Sequence, residues 1–279
     1  MHPTIAQKDV TLHIIKTFGL RMSKKLGQNF LIDEEIVEGI VEAAEIQPGD
    51  TILEIGPGIG TLTQGLAESG CKVVAVELDN RLIDVLGKTL AGYDNVRVVH
   101  GDILKIDISR EIMAERYKVV ANLPYYITTP IIMGLLEQRL PIERLVTMVQ
   151  KEVAERMVAP PGGKDYGALS VAVQYYTQPE IMFIVPPSSF IPAPSVESAV
   201  IRCVVRKEPP VDILDERKFF RVVKAAFAQR RKTFTNNLKG AGIPAEQVQA
   251  ILAEAGIDGS RRGETLSLDE FAAVANAWR

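Results

Sequence analysis

Thr51-Ile52-Leu53-Glu54-Ile55-Gly56-Pro57-Gly58-Ile59-Gly60 decides the fold of this chain. A short, largely apolar run feeds straight into closely spaced glycines, the pattern of a buried strand that turns sharply into a helix. Working outward, the same alternation repeats. Upstream, Asp33 is placed to cap a helix reaching about Ile46, with Glu34 and Glu35 in the first turn, where the helix dipole favours acids. Downstream, Lys72–Glu77, Val96–His100, Lys118–Ala121 and Arg144–Val149 read as strands, and Asn80–Leu90 and Pro130–Gln138 as helices. Strands alternating with helices predict βαβ units and a mainly parallel sheet. After Gly162-Gly163 the rhythm changes. Ala168–Tyr176, Ile181–Val185 and Ala199–Val205 are strand-like runs joined only by loops, which predicts an antiparallel edge. Glu208-Pro209-Pro210 reads as a linker, and beyond it the periodicity is helical over Phe219–Phe227, Lys232–Leu238, Ala245–Ala255 and Leu268–Ala277. The expected organisation is an extension over residues 1–22, flexible or partly helical, an α/β domain over 23–207 and a small all-helical domain over 208–279.

At 279 residues, with 47% hydrophobic and 24% charged side chains, the chain has the composition of a soluble globular protein. No apolar run approaches the ~20 residues that span a bilayer. No compact apolar core with a small-residue cleavage site follows the N-terminus, so no signal peptide and no membrane partner are expected. Cys71 and Cys203, both in apolar surroundings, suit buried reduced thiols of a cytoplasmic protein and exclude a zinc cluster. The net charge of −3 hides an asymmetry: residues 1–199 sum to −7 and residues 200–279 to +4. Arg217 to Lys239 holds eight basic residues, among them Arg230, Arg231 and Lys232, and no acidic one. Local potential governs phosphate binding more than total charge does. A basic run is most often a solvated helix face, so this one points to RNA only with a companion signal. Phe219, Phe220 and Phe227, interleaved with it, read as core rather than as stacking platforms.

Two segments supply candidate chemistry. Asn122-Leu123-Pro124-Tyr125 follows a predicted strand, the position where open α/β sheets bind ligands. An amide oxygen, the carbonyl left free by the residue before proline, with that of Pro124 as the alternative, and an aromatic face suit the amino edge of a flat base. That is the chemistry needed to methylate an exocyclic amine; the plain alternative is a strand ending in a proline turn. The Gly56–Gly60 turn lets a nucleoside approach the backbone, but its third glycine comes one place early for a dinucleotide fingerprint. Glu77, at the end of the next predicted strand, can accept both hydroxyls of a ribose, and Asp102, after the third, can accept from an adenine amino group. Each carboxylate alone could be a helix cap. Lys25 to Leu31 reads as an entry loop or as a lid over this site.

The glycine turn resembles the first motif of class I S-adenosylmethionine-dependent methyltransferases, E-x-G-x-G-x-G. From about Met22 to Trp278 the chain resembles the small-subunit (16S) ribosomal RNA adenine N6,N6-dimethyltransferases. The resemblance rests on Lys25-Leu26-Gly27-Gln28-Asn29-Phe30-Leu31, Glu54 to Gly60, Asn122 to Ile127, Tyr166-Gly167-Ala168-Leu169-Ser170-Val171, Phe190 to Ser198 and Ala226 to Thr233. It implies a Rossmann-like methyltransferase domain followed by a helical RNA-binding domain. It implies S-adenosyl-L-methionine, without a metal, held by Asn29, Leu31, Gly56, Glu77, Asp102 and Asn122. The target adenine would be held by Asn122, Leu123, Pro124 and Tyr125, with Phe190 as a second stacking face. The implied partner is 16S rRNA within an immature 30S subunit, and a monomer is expected. Departures are small: Thr128-Thr129 stands where Ser-Thr is usual, and Phe234 where Leu is frequent.

The nearest rival is the Erm type of large-subunit adenine methyltransferase, which shares the Asn-x-Pro-Tyr core; Phe190 to Ser198 and Arg230-Arg231-Lys232-Thr233 favour the small-subunit reading. DNA adenine methyltransferases have a similar pocket but lack the helical tail. A non-catalytic ribosome- or DNA-binding relative would be marked by a lost glycine turn or a lost Asn-x-Pro-Tyr segment, and both are intact.

Overall fold

The computed structural model describes residues 3–21 and 27–278. Helix α1 (Lys8–Thr17) occupies most of the first described segment, and strand β1 (Phe30–Leu31) and helix α2 (Glu34–Ala43) open the second. The Asp33 carboxylate accepts the Ile36 N–H and caps α2. The helix stops short of Ile46 because Glu45 adopts a left-handed backbone (φ 48°). Next come β2 (Thr51–Ile55), α3 (Thr61–Glu68), β3 (Lys72–Glu77), α4 (Asn80–Thr89), β4 (Val96–His100), the short α5 (Ile108–Ile112), β5 (Tyr117–Asn122), α6 (Thr128–Glu137) and β6 (Ile142–Gln150). They are followed by α7 (Lys151–Val158), α8 (Ala168–Tyr176), β7 (Thr177–Val185), β8 (Phe190–Ile191), β9 (Ser198–Val205), α9 (Glu216–Ala226), α10 (Phe234–Gly240), α11 (Ala245–Ala255) and α12 (Leu268–Ala277).

The main sheet has seven strands in the order β4-β3-β2-β5-β6-β9-β7. β4, β3, β2, β5 and β6 run parallel, and β9 joins β6 antiparallel. This is the mainly parallel sheet with an antiparallel part that the periodicity predicts. One expectation fails: Ala168–Tyr176 is the helix α8, not a strand. A short, uniformly apolar run does not reveal its period, since strand and fully buried helix look alike. Here nearly every side chain of the run is buried, and the Gly167 N–H donates to Ser170 Oγ at 3.0 Å, starting a helix.

The chain forms two compact units, Met1–Ala154 with Glu180–Val205, and Glu155–Pro179 with Arg206–Arg279. In the first, α2 and α3 cover the sheet through Ile40, Leu66, Val73, Val120 and Val146, all buried. Each such side chain contributes about 1.5–3 kcal/mol on leaving water. Helix α1 is ordered by Gln64 of α3, whose side chain accepts the Ile5 N–H at 2.8 Å and donates to the Pro3 carbonyl at 3.2 Å. In the second unit, Tyr175 and Tyr176 of α8 pack on Phe219 and Phe220 of α9, with Tyr176 and Phe220 stacked at 5.5 Å. Both tyrosine hydroxyls donate to Glu216. Phe227 meets Tyr166 and Phe271. Phe219 is core, as expected, while Phe220 and Phe227 are half-buried and pack against other rings.

Candidate active site

The order β4-β3-β2-β5 fixes the site. These four strands are parallel, so their carboxyl ends share one edge of the sheet, and the winding reverses between β2 and β5. A cleft at such a switch point is where this architecture binds ligands. Along the edge stand Asp102 beyond β4, Glu77 ending β3, Gly56 beyond β2, and Asn122 ending β5, all lining one cleft. Leu123, Pro124 and Tyr125 line it too, as do Asn29 and Leu31 from the segment before α2. Lys25 and Leu26 of that motif lie outside the described residues.

Gly56 has φ +68°, and a Cβ there would meet nothing within 4 Å, so the turn is open on the cleft side. At Gly60 (φ +95°) a Cβ would come within 3.1 Å of Leu90, so α3 starts pressed against the end of α4. The Glu77 carboxylate is buried. Its Oε2 accepts the Gly58 N–H at 3.2 Å and its Oε1 the Asp79 N–H at 2.7 Å, which aims the group. Burial pushes its pKa up, against these backbone donors. Asp102 behaves oppositely: the Leu104 N–H (3.1 Å) and the Lys105 ammonium (3.1 Å) hold it below the usual carboxylate range. A glutamine in place of Glu77 keeps the volume but loses the charge. Glu77→Gln is therefore expected to weaken binding of the methyl donor about 10–100-fold, the worth of a hydrogen bond to a charged group. Calorimetric titration checks this, and unchanged affinity would remove Glu77 from the site.

At Asn122-Leu123-Pro124-Tyr125 the structure decides between the two carbonyls that the sequence offers. Pro124 O already accepts the Ile127 N–H at 3.2 Å and the Thr128 hydroxyl at 3.0 Å, so both its lone pairs are used. Among the described residues no donor reaches Leu123 O, and none bonds the Asn122 side-chain amide. Tyr125 is half-buried, its hydroxyl 2.6 Å from Ser198 Oγ; burial raises its pKa, with the Ser198 bond working against that.

Phe190 is not brought to the cleft. It is 3% exposed, pairs with Leu31 across the β1–β8 ribbon and packs into the core. Tyr125 thus lines the cleft and Phe190 does not. The Phe190-to-Ser198 stretch instead holds the site from behind, at Leu31 through β8 and at Tyr125 through Ser198. Gln28 is tied down as well: its Nε2 donates 2.9 Å to Asp79, which the Arg81 guanidinium holds at a pKa of about 2. In the helical unit, Arg230, Arg231 and Lys232 are exposed, but in the turn between α9 and α10 rather than on a helix face. The Asn237 amide secures that turn by donating to the Ala226 and Gln229 carbonyls. The Arg230 guanidinium donates to the Lys164 carbonyl.

Three cleft residues escape a sequence reading for roles. Leu78 and Ile103, each one place after an acidic residue, supply apolar walls, and Leu78 remains 46% exposed there. Their signal is positional: an apolar residue beyond a strand-end carboxylate. Glu54, the first residue of the glycine motif, also lines the cleft and is 1% exposed.

A parallel sheet with a glycine turn, strand-end carboxylates and an unengaged amide at its switch point defines a class I methyltransferase. Comparison with known proteins narrows the class. The profile of the ribosomal RNA adenine dimethylase family matches residues 19–278. Ribosomal RNA small subunit methyltransferase A of Geobacillus kaustophilus is 52% identical over 286 residues, covering 99% of this chain and 98% of its own. The protein of the same name from Moorella thermoacetica is also 52% identical, over 98% of both chains. Among solved structures, a dimethyladenosine transferase from Plasmodium falciparum matches with a TM-score of 0.75 at 26% identity, covering 88% of this chain and 95% of that one. The 23S rRNA methyltransferase ErmE matches with a TM-score of 0.68 at 29% identity, covering 90% and 99%. The chain belongs to the ribosomal RNA adenine dimethylase family. It is an S-adenosylmethionine-dependent enzyme that dimethylates adenine in ribosomal RNA. No described helix is long and apolar enough to cross a membrane.

Proposed function

We propose that this enzyme dimethylates N6 of two adjacent adenosines in the 3′-terminal hairpin loop of 16S rRNA, within an immature 30S subunit, as a cytoplasmic monomer. Support for the small-subunit target is the 52% identity to proteins named for it, against 29% to ErmE. The chemistry rests on one observation: the Asn122 amide and the Leu123 carbonyl are neighbouring, unengaged acceptors, while Pro124 O is filled.

Two acceptors match the two N–H bonds of an adenine amino group. That nitrogen is a poor nucleophile because its lone pair is delocalised into the ring. Accepting both hydrogens draws it toward a tetrahedral geometry and frees the lone pair. Asn122 Oδ1 and Leu123 O take these roles, and Tyr125, braced by Ser198, stacks on the extruded base, worth on the order of 1–3 kcal/mol. After the first transfer a methyl replaces one N–H, and a carbonyl acceptor tolerates that exchange. Asn29, Leu31, Gly56, Glu77, Asp102 and Asn122 hold the donor. The cleft suits it: Gly56 leaves room for a nucleoside, Glu77 and Asp102 offer acceptors, and Leu78 and Ile103 offer walls for a flat ring. S-adenosylmethionine, when bound, supplies a methyl group already activated on a sulfonium. The residues then contribute mainly position, which in favourable systems supplies ~7–11 kcal/mol.

Mass mapping of 3′-terminal 16S fragments from cells with and without the gene tests the target. Two adjacent dimethyladenosines should disappear together; loss of a 23S modification instead would reject the small-subunit assignment. Arg230, Arg231 and Lys232 are proposed to meet phosphates, which position RNA without reading its sequence. Neutralising all three should weaken RNA binding and make log K against log salt shallower by roughly 2. An unaltered slope would move the RNA surface elsewhere.

A further inference from the structure

We infer that Glu54 is a counter-ion kept uncharged until the cationic methyl donor enters, so that donor binding drives a proton from this side chain into solvent. The inference deepens the proposed reading and rests on assigning the cleft to the donor.

Glu54 is the last residue but one of β2, beside the glycine turn. The residue lines the cleft, yet it is 1% exposed. Its Oε2 is sealed from water and has no hydrogen-bond partner among the described residues. The buried Thr61 hydroxyl, at the start of α3, is unpartnered as well, and the Thr63 hydroxyl is the one neutral group that acts on the carboxyl. Among the described residues no cation acts on it. Across the sheet Glu54 faces Ala75 of β3 and Val120 of β5. The ionisable group of β3 that acts on it is Glu77, of the same sign. Cys71 also feels it, but that thiol is buried and stays protonated up to about 11. A buried carboxylate with no cation beside it sheds its charge by taking up a proton. The same influences push its pKa up to about 8, with burial the main cause, the Thr63 hydroxyl opposing and Glu77 adding to it.

The donor changes this balance because it carries a sulfonium and an α-ammonium. An opposite charge within ~4–6 Å in a water-poor cleft favours the ionised carboxylate. Below the free-enzyme pKa, binding must then expel a proton. Affinity should rise with pH by up to about tenfold per unit toward pH 8 and level off above it. The proton leaving Glu54 on binding passes to buffer and is separate from the one that the amine gives up at each methyl transfer.

The test is calorimetric titration of the full-length enzyme at pH 7 in two buffers of different ionisation heat. S-adenosylmethionine is compared with 5′-methylthioadenosine, which keeps the nucleoside and thioether but carries neither charge. The wild-type enzyme should release close to one proton more than Glu54→Gln with S-adenosylmethionine, and the two should not differ with methylthioadenosine. The affinity of Glu54→Gln should also lose the rise between pH 6 and 8. Equal proton counts in the two enzymes would overturn the inference, as would the same difference with methylthioadenosine. If Glu54→Gln fails to fold, a flat wild-type affinity across pH 6–8 overturns it as well. Glu77→Gln separates the two levels of the reading. Unweakened donor binding there refutes the cleft assignment, whereas weakened binding with a proton count indifferent to Glu54 refutes only the counter-ion.

Discussion

Asn122→Ala is expected to lower the rate of methyl transfer by about 10²–10³-fold, the usual cost of deleting one preorganised polar group that acts mainly in the transition state. Asn122 offers the target amine an acceptor that no described residue occupies. Its backbone continues a strand whose next residue, Leu123, still bonds to Met148 O of β6 at 3.1 Å. Truncating the side chain should therefore leave the strand, the Leu123 carbonyl and the Tyr125–Ser198 contact in place. Binding of RNA should survive, because the proposed phosphate contacts lie in the α9–α10 turn. Asn122→Asp keeps an oxygen acceptor and should retain more transfer than alanine does. Single-turnover rates with RNA binding measured in parallel decide the matter. Unchanged turnover in Asn122→Ala would end the assignment of this residue to the amine.

The parts of this site legible in the sequence share one property: each is set by short-range pattern plus a topological rule. Apolar runs ending in Gly56, Glu77 and Asn122 are recognisable as strands, and parallel strands must align their carboxyl ends. Asp102 follows from the same rule one turn further on. What stays hidden depends on contacts between distant segments. Only the fold reveals that Thr128 and Ile127 fill the Pro124 carbonyl and leave Leu123 as the free acceptor. Only the β1–β8 ribbon reveals that Phe190 supports Leu31 from the core. Helix α8 is hidden for another reason: an apolar stretch buried on all sides carries no period to read. Glu54 is visible as a motif letter, but its sealed oxygen is a property of packing and not of the motif.

Phe219→Ala should remove about 3–5 kcal/mol from the helical unit, the usual cost of deleting a buried phenyl and leaving a cavity. Phe219 is 0% exposed and lies 5.1 Å from the rings of both Tyr175 and Phe220. Those rings join α8 to α9, and Glu216 ties the same helices through the two tyrosine hydroxyls. A loss of this size is a large fraction of the ~5–15 kcal/mol that ordinarily separates folded from unfolded. Phe219→Leu refills most of the space and should cost much less. The chain has a single tryptophan, Trp278, which reports on this unit. Its carbonyl accepts from Lys218 Nζ at 2.7 Å, and Arg221 lies 4.6 Å from its ring centre, both residues on α9. Its fluorescence in a urea titration should show the midpoint fall steeply for alanine and only slightly for leucine. RNA binding should fail at lower urea in the alanine variant, since the turn bearing Arg230, Arg231 and Lys232 hangs from the end of α9. A midpoint equal to wild type would mean that Phe219 is not a keystone of this core, and that the basic turn is held by α10 and Asn237 alone.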